Sequence, residues 1–259
     1  MDPLATLGYR PRFDFSLTKL RIGAIEFDRD EDFFAVGGDL KEIQVFPFKQ
    51  DDLDSSTLEE EIGPLQSFST SGRITGLSWS THSRGQLCAS DSSGIVSIWD
   101  AASGSELVSL NEYGGRAAYS VDYSHTQPGV LASAGHDGTV RLWDVRDPTS
   151  SKSVIRSSAT ICAVRFNLTK DYELTFGNSN SVVSLSIRIG DTMMTHSPQA
   201  LVYDTRKIDK ELHVLAEHKG AICGISYHKH NQLFTQSVDG TIKLWDFATP
   251  EKAIRTYSG

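Results

Sequence analysis

The sequence predicts an all-β repeat fold, a propeller of β-sheet blades, and three observations carry that prediction. First, Gly135-His136-Asp137-Gly138-Thr139-Val140-Arg141-Leu142-Trp143-Asp144 sets an Asp-Gly turn before a strand that alternates apolar and polar and closes on Trp-Asp. Second, the same phrase returns at 93–100 and 238–246, with worn copies ending at Phe46 and at Tyr203-Asp204. Third, the closing aromatics Phe46, Trp99, Trp143, Tyr203 and Trp245 stand 53, 44, 60 and 42 residues apart. A four-stranded blade occupies roughly 40–45 residues.

Gly-His and Trp-Asp punctuation on that period marks the WD40 repeat. The chain has 259 residues, which suits one large all-β domain. Residues 1–20 read as an N-terminal segment in which Phe13-Asp14-Phe15-Ser16-Leu17 alternates as a candidate closing strand. The propeller is expected over 21–259, with repeats near 21–48, 65–100, 115–147, 159–206 and 219–259. Five repeats are recognisable. The last strand ends where a sixth repeat would start, so the expectation is five blades of a seven-bladed plan, an incomplete or open ring.

Taken in order, the first repeat places strands at 23–28, 33–38 and 43–48, split by the charged turn Arg29-Asp30-Glu31-Asp32. Residues 49–64 carry six acidic side chains (Asp51, Asp52, Asp54, Glu59, Glu60 and Glu61) and read as a solvated loop that lengthens the first step. The second repeat runs through 73–79, 86–90 and 95–100, and the third through 118–123, 130–134 and the opening phrase. In the fourth, strands at 160–166 and 172–177 precede an expected insertion at about 181–199, so that Leu201-Val202-Tyr203 forms the third strand. The rival reading gives that slot to 182–187. The fifth repeat takes 221–227, 232–237 and 241–247.

A net charge of −8 and a pI near 5.5 argue against nucleic-acid binding through a general basic field. No apolar run reaches a membrane span, and a start that carries Asp2 and no long apolar core leads to the expectation of no secretory signal. Cys88, Cys162 and Cys223 are too scattered for a metal site and odd in number, so they read as buried free thiols in a reducing compartment, the nucleus and cytoplasm. His228-Lys229-His230 brings two imidazoles close but no third ligand, and Asn167-Leu168-Thr169 fits a sequon without a secretory context. No metal, cofactor or catalytic constellation is expected.

The residues singled out are structural or rim positions. His218, Thr235 or Ser237, Asp239 and Trp245 suit a buried hydrogen-bonded chain in the fifth repeat. Ser133, Asp137 and Trp143 do so in the third, where Tyr113 replaces the His. A hydrolase-like triad is the weaker reading, because the set recurs with the period. Two closing phrases, Trp143-Asp144-Val145-Arg146 and Tyr203-Asp204-Thr205-Arg206, put an Arg near the propeller rim, where its planar fork can meet a partner or tie blades together.

Particular words go beyond the generic repeat: Ile25-Glu26-Phe27-Asp28-Arg29-Asp30, Leu77-Ser78-Trp79, Gly114-Gly115-Arg116, Tyr119-Ser120-Val121-Asp122-Tyr123 and Tyr203-Asp204-Thr205-Arg206-Lys207. From about Phe13 onward the chain resembles the WD40 domains of plant photomorphogenesis repressors. These comprise the constitutively photomorphogenic ubiquitin ligase, the suppressor-of-phytochrome proteins and the repressors of UV-B photomorphogenesis, and the short UV-B repressors are the best likeness. The resemblance implies a non-catalytic scaffold that takes Val-Pro peptides of photoreceptors or transcription factors. It also implies docking, through Trp-Asp-x-Arg tails, to the adaptor of a cullin–RING ubiquitin ligase. On that analogy Trp79 and Tyr227 are peptide-contact candidates, and Gln44 stands where the ligase has a Lys. Trp143, Asp144, Arg146, Tyr203, Asp204 and Arg206 are adaptor-docking candidates. The alternatives are a scaffold for an unrelated chromatin or trafficking complex, or an inactive truncated isoform.

Overall fold

The turns that punctuate the sequence sit between the second and third strands of their blades. Gly94, Gly138 and Gly240 hold φ of 85°, 74° and 80°, a left-handed conformation that a side chain resists. Each turn is braced by its Asp. Asp137 Oδ1 accepts from Thr139 N at 3.0 Å, and Asp239 Oδ1 from Thr241 N at 2.9 Å. At Gly94 the backbone of the next blade also intervenes, since a Cβ there would lie 2.2 Å from the Arg116 carbonyl oxygen.

The computed structural model describes residues 21–48, 63–179, 198–228, 232–250 and 252–258. Its strands form five antiparallel four-stranded sheets, each a meander in chain order. Blade 1 holds β1 (Ile22–Phe27), β2 (Phe33–Gly38), β3 (Glu42–Pro47) and β4 (Gln66–Ser69). Blade 2 holds β5 (Ile74–Trp79), β6 (Gln86–Asp91), β7 (Val96–Asp100) and β8 (Ser105–Leu110). Blade 3 holds β9 (Ala118–Tyr123), β10 (Val130–Gly135), β11 (Thr139–Asp144) and β12 (Ser153–Arg156). Blade 4 holds β13 (Ile161–Phe166), β14 (Glu173–Asn178), β15 (Ala200–Asp204) and β16 (His213–Leu215). Blade 5 holds β17 (Ile222–His228), β18 (Gln232–Ser237), β19 (Thr241–Asp246) and β20 (Arg255–Ser258). The five sheets are arranged as a β-propeller whose inner strands β1, β5, β9, β13 and β17 line a central channel.

The core lies between blades, one layer per seam. Directly paired residues share a sheet face, so each blade has a leading face toward the preceding blade and a trailing face toward the next. Val121, Tyr123 and Trp143 of blade 3 pack on Cys88, Val96, Ile98 and Leu110 of blade 2. Val164, Phe166 and Tyr203 of blade 4 meet Ala132, Ala134, Val140, Leu142 and Ile155 of blade 3. Equivalent seams join blades 1 and 2 and blades 4 and 5. The outermost faces differ. Ile25 and Phe27 on the leading face of blade 1 are 54% and 46% exposed, whereas their counterparts Leu77 and Trp79 are 2% and 7%.

In blade 4, Leu201, Val202 and Tyr203 pair with Phe176, Thr175 and Leu174, so the third-strand slot belongs to β15. The extra residues of the fourth repeat therefore precede that strand. The segment 182–187, the rival for the slot, lies outside the described residues, as do most of the acidic loop and the candidate closing strand near Phe13. One boundary shifts: residues 66–69, read with the second repeat, pair with β3 as the outer strand of blade 1. Outer strands β8, β12 and β16 were not singled out by the pattern. They are short or exposed, and so lack strong apolar alternation.

Candidate functional site

In blade 5 the expected buried chain forms. Trp245 Nε1 donates to Thr235 Oγ1 at 2.8 Å, and that hydroxyl lies 2.8 Å from His218 Nε2. His218 Nδ1 lies 3.1 Å from Asp239 Oδ2, which also accepts from Lys219 N at 2.8 Å. Because a carboxylate only accepts, Nδ1 carries a proton and donates to Asp239. Burial pulls the Asp239 carboxyl up, yet hydrogen bonds from Thr241, Lys219 and His218 outweigh it and hold the group well below the usual carboxylate range. Ser237 serves the turn instead, donating to Gly220 O and accepting from Asp239 N. His218 and Thr235 are buried, so the set has no access to a substrate and acts as a brace between turn, strand and indole.

Blade 3 reaches the same end with other residues. Trp143 Nε1 donates to Ser133 Oγ at 2.8 Å, and Tyr113 Oη lies 2.8 Å from the same hydroxyl. Tyr113 cannot reach Asp137 as a His does. Arg141 fills the gap: its Nη1 donates to Asp137 Oδ2 at 3.0 Å and its guanidinium lies 4.3 Å from the Tyr113 ring centroid.

Two rim positions on adjacent blades share one geometry. Arg146 Nε and Nη2 donate to the two oxygens of Asp144 at 2.8 and 2.7 Å. Arg206 does the same on Asp204 at 2.9 and 2.7 Å, with its guanidinium 4.4 Å from the Tyr172 ring centroid. The side-chain bonds from Arg146 and Arg206 are the main cause holding Asp144 and Asp204 below the ordinary carboxylate range. Both arginines are exposed, while Trp143 and Tyr203 are buried in the seams. Blades 2 and 5 carry Ala102 and Ala248 at the matching place. The surface offered is thus two forked, pre-oriented cations on blades 3 and 4.

The peptide-contact candidates sit deeper. Trp79 is buried at the seam of blades 1 and 2, its Nε1 donating to Glu26 O at 3.0 Å. Tyr227 is buried at the seam of blades 4 and 5, bonded through its hydroxyl to Thr175. Gln44 is half-buried in the middle of β3, opposite Val36 and Ser67. The three lie in separate seams and strands, and each aromatic exposes only an edge.

Sequence reasoning missed the channel. At one level the inner strands present Glu26, Ser78, Asp122, Arg165 and Ser226, each one residue before a buried aromatic or its exposed blade 1 counterpart. Arg165 Nη1 donates to Asp122 Oδ1 at 3.0 Å, and Nη2 stands 3.8 Å from Glu26 Oε2. Burial, opposed by Arg165 and reinforced by Asp122, pushes the Glu26 carboxyl up to about 7. The signal was available as a polar residue just before the last aromatic of each inner strand. Among the described residues no cluster of three or more His, Cys, Asp or Glu could hold a metal. No helix among them is long and apolar enough to cross a membrane. The reading of three buried thiols needs correction: Cys88 is buried, Cys162 half-buried and Cys223 exposed.

A family model described as WD domain, G-beta repeat matches residues 104–144 and 209–246. The E3 ubiquitin-protein ligase COP1 of Arabidopsis thaliana is 32% identical over 241 residues, covering 92% of this chain and 32% of the ligase. The WD repeat-containing protein RUP1 of the same plant is 29% identical over 246 residues, covering 92% of this chain and 58% of that protein. Its counterpart RUP2 is 27% identical over 253 residues, with 92% and 64% covered. The chain therefore spans about a third of the ligase and less than two thirds of either WD repeat protein.

Proposed function

The chain is a WD40-repeat protein homologous to COP1, RUP1 and RUP2, and from that premise we propose that it is a non-catalytic scaffold of light signalling that couples protein partners to a ubiquitin ligase. The supporting observation is the pair of exposed Asp-Arg forks on adjacent blades. Each guanidinium is already held in one orientation by its Asp, so a partner's acceptors meet it with little side-chain entropy left to lose. In this reading the adaptor of a cullin–RING ligase docks on the rim through Arg146 and Arg206. Val-Pro peptides of photoreceptors or transcription factors bind at another face, with Trp79 and Tyr227 supplying apolar edges and Gln44 register.

Pull-down of the adaptor with the native chain, Arg146→Ala, Arg206→Ala and the double variant tests the docking. Each single change is expected to weaken capture several-fold and the double change to abolish it. Equal capture by all four proteins, at equal folded content, overturns the proposal.

A further inference from the structure

A structural irregularity repeats on every inner strand and, on four of the five, turns a side chain toward the channel. In β1, β5, β13 and β17 the pairing with the second strand slips after the first residue, between Ile22 and Ala24, Ile74 and Gly76, Ile161 and Ala163, and Ile222 and Gly224. In blade 3 the same slip falls between Ala118 and Ser120 of β9 and leaves Tyr119 out of the ladder. A bulge leaves one residue out of the ladder and redirects its side chain. The five residues left out are Gly23, Thr75, Tyr119, Cys162 and Cys223, and all five line the channel, a cavity of about 200 Å³.

The direction of these side chains can be read from Thr75. Its hydroxyl lies between Ser90 O of its own blade, at 3.0 Å, and the carbonyl of Ala118, the residue just before Tyr119, the bulge position of the following blade; Cys223 Sγ likewise meets Gln236 O of its own blade at 3.6 Å. Cys162 holds the Thr75 position in blade 4, and the bulge position of its following blade is Cys223. Two thiols therefore occupy neighbouring places in the ring. Their proximity has a second trace: Cys223 is among the causes, after burial, that raise the Cys162 thiol. The third thiol, Cys88, is buried on β6.

We propose that Cys162 and Cys223 form an oxidation-sensitive dithiol at the channel mouth, converted by a peroxide to a disulfide that fastens blade 5 to blade 4. The exposed Cys223 is the entry point. Its thiolate sulfur attacks one peroxide oxygen, an S–O bond forms, the O–O bond breaks and hydroxide leaves as water after protonation. The Cys162 sulfur, giving up its proton, then attacks the sulfenic sulfur, the S–S bond forms and the S–O bond breaks with release of a second water. Two thiols lose two electrons and two protons, and hydrogen peroxide is reduced to two waters. The reagent needs no partner protein, so this proposal stands or falls apart from the docking reading.

The test is a hydrogen peroxide titration of the folded chain, followed by alkylation and non-reducing peptide mapping. The mass is expected to fall by about 2 Da, with a peptide linking Cys162 to Cys223 and with Cys88 alkylated only after denaturation. In Cys162→Ser the linked peptide is expected to vanish and Cys223 to be trapped by dimedone as its sulfenic acid. The oxidised native chain is expected to release blade 5 to protease more slowly than the reduced chain, a difference absent in Cys162→Ser. The proposal is overturned if Cys223 proceeds to sulfinic acid, or links between molecules, while Cys162 in the native chain remains free to alkylate.

Discussion

Blades 3 and 5 begin from nearly the same phrase, Asp-Gly-Thr-Val-Arg-Leu-Trp-Asp and Asp-Gly-Thr-Ile-Lys-Leu-Trp-Asp, yet they are braced and covered differently. Blade 5 links Asp239 to Trp245 through one imidazole and one hydroxyl. Blade 3 needs three groups, Arg141, Tyr113 and Ser133, to connect Asp137 with Trp143. Their trailing faces differ further: Ile155 of blade 3 is 3% exposed under blade 4, whereas its counterpart Tyr257 is 45% exposed. The motif therefore specifies a role, a tie from turn to indole, while burial is set by what stands next to the blade.

The largest expected effect sharpens the second half of that comparison. Ile155→Ala empties part of a seam and is expected to lower unfolding free energy by ~2–5 kcal/mol. Tyr257→Ala, on an open face, is expected to stay within ~0.5 kcal/mol. Denaturant unfolding of both variants checks it, and equal losses would mean that the trailing face of blade 5 is covered in solution.

The next effect concerns the braces. Thr235→Val removes the acceptor of Trp245 and the partner of His218 together, and is expected to cost ~2–4 kcal/mol, the sum of two unsatisfied buried groups. Tyr113→Phe in blade 3 removes a single hydroxyl while Ser133 still accepts from Trp143, and is expected to cost about 1 kcal/mol. If thermal unfolding ranks them in the opposite order, the Arg141–Tyr113 stack is not the looser brace.

The smallest effect is a difference in acid sensitivity. The folded-state pKa of Asp239 lies below its unfolded value, so its contribution is present above about pH 4 and is lost as pH falls through the folded value. Unfolding followed from pH 5 downward is expected to show a steeper stability loss in the native chain than in Asp239→Asn. Parallel profiles would remove Asp239 from the linkage.

Much of this was legible because repetition multiplies weak signals. Trp143 and Trp245 announce third strands, and Leu201-Val202-Tyr203 was recognisable as a third strand despite the lengthened step before it. The choice between Thr235 and Ser237 was not legible, since both lie on β18 and only pairing depth decides which reaches the imidazole. Bulges were invisible because a slip of register is a property of two strands, and a run such as Ile161-Cys162-Ala163 reads as one unbroken apolar stretch. The burial of Trp79 and Tyr227 was hidden for a related reason. A strand pattern gives the face of an aromatic, but not whether another sheet lies upon it.

The Arg165–Glu26 contact joins blades that are not neighbours. Stacked repeats ordinarily depend only on their immediate neighbours, and their assembly can begin anywhere along the array. A link between the first unit and the fourth can form only when the intervening pair is in place, so it makes early and late portions of the chain depend on one another. Loss of that link is consequently a reporter of long-range disassembly, distinct from fraying of any single sheet.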